Sequence, residues 1–129
     1  MSTADPHAKG NYTLGVKKTI IGSKVINGAQ EHLGKIEDIV IDTRSDEVAY
    51  AILSFGGVLG MGDRHFAIPW DALQYDAAEQ CAVLNMGKDL LKNAPGFDKD
   101  KWPDLTNAEW ATRIHSHYEH GSQGGAQTP

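Results

Sequence analysis

Residues 34–55 read GKIEDIVIDTRSDEVAYAILSF, two apolar-rich runs joined by the polar connection TRSD. Each run has the length of a short strand and contains residues that favour pleated backbone, and the connection carries turn-forming residues. The segment therefore predicts a β-hairpin. From Val48 to Phe55, apolar residues occupy both even and odd positions, so both faces of the second strand need cover. The sheet interior accounts for one face, and the C-terminal segment or a second subunit is needed for the other.

Further strand signals lie on both sides of this hairpin and are separated by turn residues. Upstream, residues 16–26 are rich in Val and Ile and close on Asn27-Gly28, a strong turn dipeptide. Downstream, residues 64–70 (RHFAIPW) predict a strand that ends at Pro69, because proline cannot donate to a ladder. Residues 74–75 and 81–86 predict a last short hairpin. Five to six short antiparallel strands indicate a mainly β fold, a small barrel or sandwich.

The C-terminal part has a different character. Residues 87–93 (GKDLLKN) predict a helix of one to two turns, and residues 97–105 are irregular. Residues 106–109 (TNAE) match a capping box, with the hydroxyl of Thr106 as the cap, and predict a helix to about Tyr118. Trp110, Ile114 and Tyr118 are spaced four apart on one stripe of that helix, and this stripe should dock on protein.

These patterns divide the chain into four parts. Residues 1–15 form a flexible N-terminal tail, because they are polar and show no periodicity. Residues 16–86 form the β-barrel, and residues 87–120 form a helical and irregular extension that covers it. Residues 121–129 (GSQGGAQTP) form a disordered tail, since they carry too little apolar surface to offset the entropy of ordering.

Composition limits the class of protein. The chain has 129 residues, 40% of them apolar, which fits one domain with one core. Its single cysteine, Cys81, allows no internal disulfide and no multi-cysteine metal site, and its place in a predicted strand favours a small buried hydrophobe.

Charge and hydropathy limit the kinds of partner that we expect for this protein. The net charge is −5, and residues 23–86 contain four basic and ten acidic residues. Because phosphate backbones are bound chiefly by clustered Lys and Arg, we expect no nucleic-acid partner. No run approaches the roughly 18 consecutive apolar residues of a membrane span, so we expect no integral membrane segment and a cytoplasmic protein.

The glycine-rich segment 56–63 (GGVLGMGD) is the first candidate site. Its glycines do not follow the dinucleotide-binding pattern, and it lacks the Lys of a phosphate loop. A flexible connection between strands is one interpretation. A contact loop is the other, because Val58, Leu59 and Met61 are large apolar residues in a kind of segment that is usually polar.

Histidines supply the remaining candidates. His117 and His120, in HSHYEH, could share a helix face, but two histidines at a helix end form a weak metal site. An exposed polar terminus is the favoured interpretation, and we expect no metal and no cofactor. His65 and Asp71 could form an acid–base pair, but no nucleophile is spaced beside them.

Taken together, the runs 34–42, 48–57 and 62–73 resemble the PRC-barrel domain, and residues 91–97 resemble the extension that often follows the barrel in stand-alone bacterial members. The family includes the cytoplasmic barrel of the photosynthetic reaction-centre H subunit and the C-terminal domain of a ribosome maturation factor. The resemblance implies a small all-β barrel used as a packing or adaptor module on other proteins. It implies no catalytic residue set.

Our first hypothesis is a non-catalytic module that self-associates, as a homodimer or other homo-oligomer, and docks on an unknown protein partner. Eight large residues are the candidates for the contact surface: Leu53, Phe55, Val58, Leu59, Met61, Trp110, Ile114 and Tyr118. The alternative is a small-ligand-binding protein or enzyme with a pocket near His65, Trp70 and Asp71. A role in ribosome assembly rests on family analogy alone.

Overall fold

The computed structural model describes residues 13–54 and 64–126, with side chains as far as residue 119. A five-residue π-helical turn, Val16–Ile20, precedes the first strand, and a short 3-10 turn, Trp70–Ala72, follows the fourth. The strands are β1 (Lys24–Ile26), β2 (His32–Asp42), β3 (Glu47–Ser54), β4 (Arg64–Pro69), β5 (Leu73–Asp76), β6 (Cys81–Leu84) and β7 (Phe97–Asp98). The helices are α1 (Lys88–Lys92) and α2 (Ala108–Ala126). The predicted mainly β fold with a C-terminal helix is confirmed.

The strands form one seven-stranded sheet in the order β5-β6-β1-β2-β3-β4-β7. Within the described residues this order runs from edge to edge and does not close. It differs from the predicted five to six antiparallel strands in two ways. β1 and β6 pair in parallel, and β7, in a segment predicted to be irregular, pairs with β4. Both pairings join segments that are distant in sequence, so no local sequence pattern predicts them.

The first predicted strand is much shorter than its apolar run. Residues 16–20 turn instead of extending, and Gly22 adopts a φ of 92°, a left-handed conformation that favours glycine. The hydroxyl of Ser23 donates a 3.1 Å hydrogen bond to the Thr19 carbonyl oxygen and lies 2.8 Å from the Tyr75 hydroxyl. This turn therefore anchors the chain against β5 before β1 begins.

The turn predicted at Asn27-Gly28 is present. The Asn27 side-chain oxygen accepts 3.0 Å hydrogen bonds from the amides of Ala29 and Glu31, as an Asx turn does. Its amide nitrogen donates to the Glu31 carboxylate and to the Met86 carbonyl oxygen. Asn27 is 4% exposed, so these bonds satisfy a polar group inside the fold.

The inner face of the sheet holds the core. Leu53 of β3 pairs with Phe66 of β4 and with Ile36 of β2, and Ala51 of β3 pairs with Ile68 of β4. These five residues are at most 1% exposed. We call the side of Ala51 and Leu53 the inner face of the sheet and the opposite side the outer face.

The outer face of β3 is buried as well. Tyr50, Ile52 and Ser54 alternate with the inner-face residues and are between 0 and 6% exposed. Cover on both faces of this strand is therefore confirmed from Tyr50 to Ser54.

Helix α2 begins one residue later than the capping box predicts. Asn107 is the cap, because its side-chain oxygen accepts a 2.9 Å hydrogen bond from the Trp110 amide. The Thr106 hydroxyl instead donates to the Asp104 carboxylate at 2.6 Å. At its other end the helix continues through residues 121–126, which we predicted to lie in a disordered tail. A helix that has been nucleated adds a hydrogen bond with each further residue, so it extends past its apolar stripe.

Candidate functional site

Helix α2 packs across the outer face of the sheet. The ring of Tyr50 meets Trp110 edge-on with centroids 5.4 Å apart, and it lies 5.7 Å from the ring of His115. Further along the helix, the imidazole Nε2 of His117 donates a 3.0 Å hydrogen bond to the Leu90 carbonyl oxygen of α1. The chain's own C-terminal helix therefore provides the cover predicted for the second face of β3.

The structure places four of the eight predicted contact residues. Ile114 and Tyr118 are 0% and 2% exposed, because the i, i+4 spacing puts them on the side of α2 that faces the sheet. Trp110, on the same stripe, is half-buried. Leu53 is fully buried on the inner face. Leu53, Ile114 and Tyr118 thus belong to the core of this chain and present no surface to a partner.

The other four predicted contact residues, Phe55, Val58, Leu59 and Met61, lie outside the described residues.

The residues of the predicted pocket are not brought together. His65 lies at the start of β4, where its ring is 6.0 Å from that of Phe97. Trp70 and Asp71 follow the end of the same strand, and Trp70 stacks on Tyr75 at 6.2 Å. At about 3.3 Å per residue, His65 and the end of β4 are separated by roughly 13 Å. His65 and Asp71 therefore lie near opposite ends of β4, and no hydrogen bond or ion pair joins them.

The C-terminal histidines point to different neighbours. His115 lies beside Tyr50, with Nε2 3.5 Å from the phenol oxygen, whereas His117 bonds to α1. The side chain of His120 lies outside the described part of the chain. Among the described residues, no group of three His, Cys, Asp or Glu residues is arranged to hold a metal ion. Cys81 is buried in β6, as predicted.

The large apolar side chain with the highest exposed fraction among the described residues lies elsewhere, at the end of the β2–β3 hairpin. Among the described residues with large exposed hydrophobic side chains, Ile41 is the most exposed, at 54%. It pairs across the strands with Val48, which is half-buried and lies outside the core cluster. The neighbouring Val40 and Ala49 do pack against the core. We call residues 41–48 the hairpin tip.

A register shift explains this exposure. The pairing of β2 with β3 is irregular between Val40 and Ile41, so Ala49 is an extra residue in β3. Such a bulge interrupts alternation and increases the local twist. The side chains of Ile41 and Val48 therefore do not point in the same direction as those of Val40 and Tyr50, which pack on the core.

Carboxylates surround the apolar pair of the hairpin tip. Asp42 and Glu47 pair directly across the strands, and Asp46 is exposed in the connecting turn with a φ of 61°. The one basic residue of the tip, Arg44, donates from its amide to the Asp42 carboxylate at 2.9 Å and from Nε at 3.4 Å. The hydrogen bond from the Arg44 amide, followed by that from its side chain, lowers the pKa of Asp42. The tip is therefore an apolar pair with a net negative rim.

The sequence patterns did not single out this surface. The apolar run that begins at Val48 continues into residues that are buried in the core, so the run gives no separate signal for Val48. A usable signal was the position of Ile41 at the far end of a strand longer than its neighbours, directly before Asp42 and the turn 43–46.

The fold and this surface define a small β-sheet module with a covering helix and an exposed apolar side chain at its hairpin tip. Residues 17–91 match the family model of the PRC-barrel domain. Because the match spans more than half of the chain, the protein belongs to the PRC-barrel domain family. The matched segment contains β1 to β6 and most of α1, whereas β7 and α2 follow it. A search of curated proteins found no match. No helix in the described residues is long and apolar enough to cross a membrane.

Proposed function

We propose that this protein is a non-catalytic adaptor or packing module that docks on another protein through the hairpin tip. The observation that carries the proposal is Ile41, which is 54% exposed and pairs with the half-buried Val48 outside the core cluster. Exposed apolar side chains outside the core are typical of contact surfaces. Membership of the PRC-barrel family supports a non-catalytic role. Because His65 and Asp71 are separated, they form no catalytic site among the described residues.

Affinity capture with matched variants tests this proposal. Ile41→Ser removes the most exposed apolar side chain of the tip, and Leu90→Ser removes an isomeric side chain that is 46% exposed on α1. We expect proteins captured by the wild type to fall about 3- to 10-fold in yield with Ile41→Ser, since covering the exposed half of this side chain contributes about 0.7–1.4 kcal/mol. They should be retained with Leu90→Ser.

Both variants must first show the urea midpoint of the wild type, so that a loss of capture is not a loss of folding. Equal yields of the same proteins with both variants would contradict docking through the tip.

We further propose that the chain self-associates through residues 58–61, as the apolar composition of that segment favours. Changing Leu59 and Met61 together to Ser should lower the mass measured by light scattering while the far-UV circular dichroism stays unchanged. A mass equal to that of the wild type would count against this contact.

A further inference from the structure

The hairpin tip carries more negative charge than its own residues neutralise. Glu47 lies directly opposite Asp42 on the neighbouring strand. Like charges at directly opposed positions destabilise a sheet. Arg44 contacts Asp42, and within the described residues it forms no ion pair with Glu47 or Asp46. Within the part of the chain that the structure describes, the exposed carboxylates of Asp46 and Glu47 therefore form no ion pair.

This arrangement decides what kind of surface can cover the tip. Burying Ile41 against an acidic or neutral partner would bring Asp46 and Glu47 out of water without compensation, which is costly. A second copy docking tip to tip would oppose two negative rims. The same carboxylates oppose anionic lipid headgroups and nucleic acid. A partner with an apolar side chain flanked by Lys or Arg can cover Ile41 and pair with the carboxylates of Asp46 and Glu47.

We infer that the hairpin tip binds a basic amphipathic segment of a partner protein, with an apolar side chain on Ile41 and Val48 and a Lys or Arg at Asp46 and Glu47. This inference rests on the proposed function and adds the chemistry of the partner. Covering the exposed half of Ile41 should strengthen binding by about 3- to 10-fold. The two carboxylates should add a contribution that weakens as salt is raised.

Model peptides test the inference on the full chain. The probe is a fluorescein-labelled amphipathic peptide of Lys and Leu, about 18 residues long, and the comparison is the same pattern with Glu in place of Lys. Binding is measured by fluorescence anisotropy at about 50 mM salt and again at about 500 mM salt. We expect the Lys/Leu peptide to bind at least about tenfold more tightly than the Glu/Leu peptide at low salt, and most of this difference to disappear at high salt.

A pair of charge variants locates the effect. Asp46→Asn with Glu47→Gln should weaken the Lys/Leu peptide by about 3- to 10-fold, and Asn accepts the left-handed backbone of residue 46. Glu79→Gln with Asp100→Asn makes the same change of net charge at exposed positions elsewhere and should leave binding unchanged. Equal weakening by both double variants would overturn the inference.

Two outcomes separate the inference from the proposed function. If the Glu/Leu peptide binds as tightly as the Lys/Leu peptide and both are lost with Ile41→Ser, the tip is a docking surface and the inferred partner chemistry is wrong. If Ile41→Ser changes neither peptide binding nor affinity capture, the proposed function fails together with the inference.

Discussion

Replacing Tyr118 with Phe should stabilise the protein. The Tyr118 side chain is 2% exposed, and its hydroxyl has no hydrogen-bond partner among the described residues. A buried polar group without a partner costs about 1–3 kcal/mol, and Phe keeps the volume of the ring. We expect Tyr118→Phe to raise the free energy of unfolding by about 1 kcal/mol, measured by urea denaturation with an unchanged m-value.

The matched control is the same substitution at Tyr75. The hydroxyl of Tyr75 lies 3.1 Å from the Thr19 carbonyl oxygen and 2.8 Å from the Ser23 hydroxyl. Tyr75→Phe should therefore lower the free energy of unfolding by about 1–2 kcal/mol, because it removes real hydrogen bonds.

The two variants should thus move stability in opposite directions. A Tyr118→Phe variant that is less stable than the wild type by about 1 kcal/mol or more would show that the hydroxyl is satisfied in the folded protein. In that case our description of the contact between α2 and the outer face would be incorrect.

Three further predictions concern stability. Burial raises the pKa of the Tyr118 hydroxyl, so above pH 10 the unfolded chain loses this proton while the folded chain keeps it. The free energy of unfolding should therefore fall by up to about 1.4 kcal/mol per pH unit. This part of the alkaline loss of stability should be absent in Tyr118→Phe. Gly34→Ala should cost about 3 kcal/mol or more, because residue 34 has a φ of 153° and its Cβ would lie 2.3 Å from the Ser54 carbonyl oxygen; Gly87→Ala, whose Cβ would have no neighbour within 4 Å, should stay within about 0.5 kcal/mol of wild type in the same urea titration. Asn27→Ala should cost about 2–4 kcal/mol by thermal unfolding, since it leaves the Ala29 and Glu31 amides without their acceptor; a loss below about 1 kcal/mol would mean that water replaces the side chain.

Local patterns were enough to locate most of the sheet. The hairpin of β2 and β3, the end of β4 at Pro69 and the hairpin of β5 and β6 all follow from alternation and turn residues. The cover of both faces of β3 also follows from its apolar positions. These features depend on neighbours in sequence, which is where periodicity carries information.

Long-range pairing was beyond reach of the same patterns. β7 has only two residues, Phe97 and Asp98, and forms because β4 presents a free edge to it. The apolar run 16–26, which Gly22 interrupts, indicates strand on both sides of that glycine, whereas residues 16–20 form a π-helical turn and only three residues are left for β1. In both cases tertiary contacts and backbone conformation override local propensity.

The candidate site was missed for a related reason. Apolar stripes such as Trp110, Ile114 and Tyr118 attract attention as contact surfaces, but a regular stripe is also the pattern that packs on the chain's own sheet. The exposed Ile41 and the half-buried Val48 break the regular pattern because a bulge precedes their pairing. The exposure of Ile41 depends on the register between two strands, which the sequence of either strand alone does not specify.

The most direct test of docking through the hairpin tip is a map of amide chemical shifts. The ¹⁵N-labelled full chain would be titrated with the Lys/Leu peptide, and shift changes would be followed residue by residue. We expect the largest changes in residues 41–48, with little change in β5 and β6 at the far edge of the sheet. Largest changes along β5 and β6 or α1, with residues 41–48 unmoved, would contradict the account.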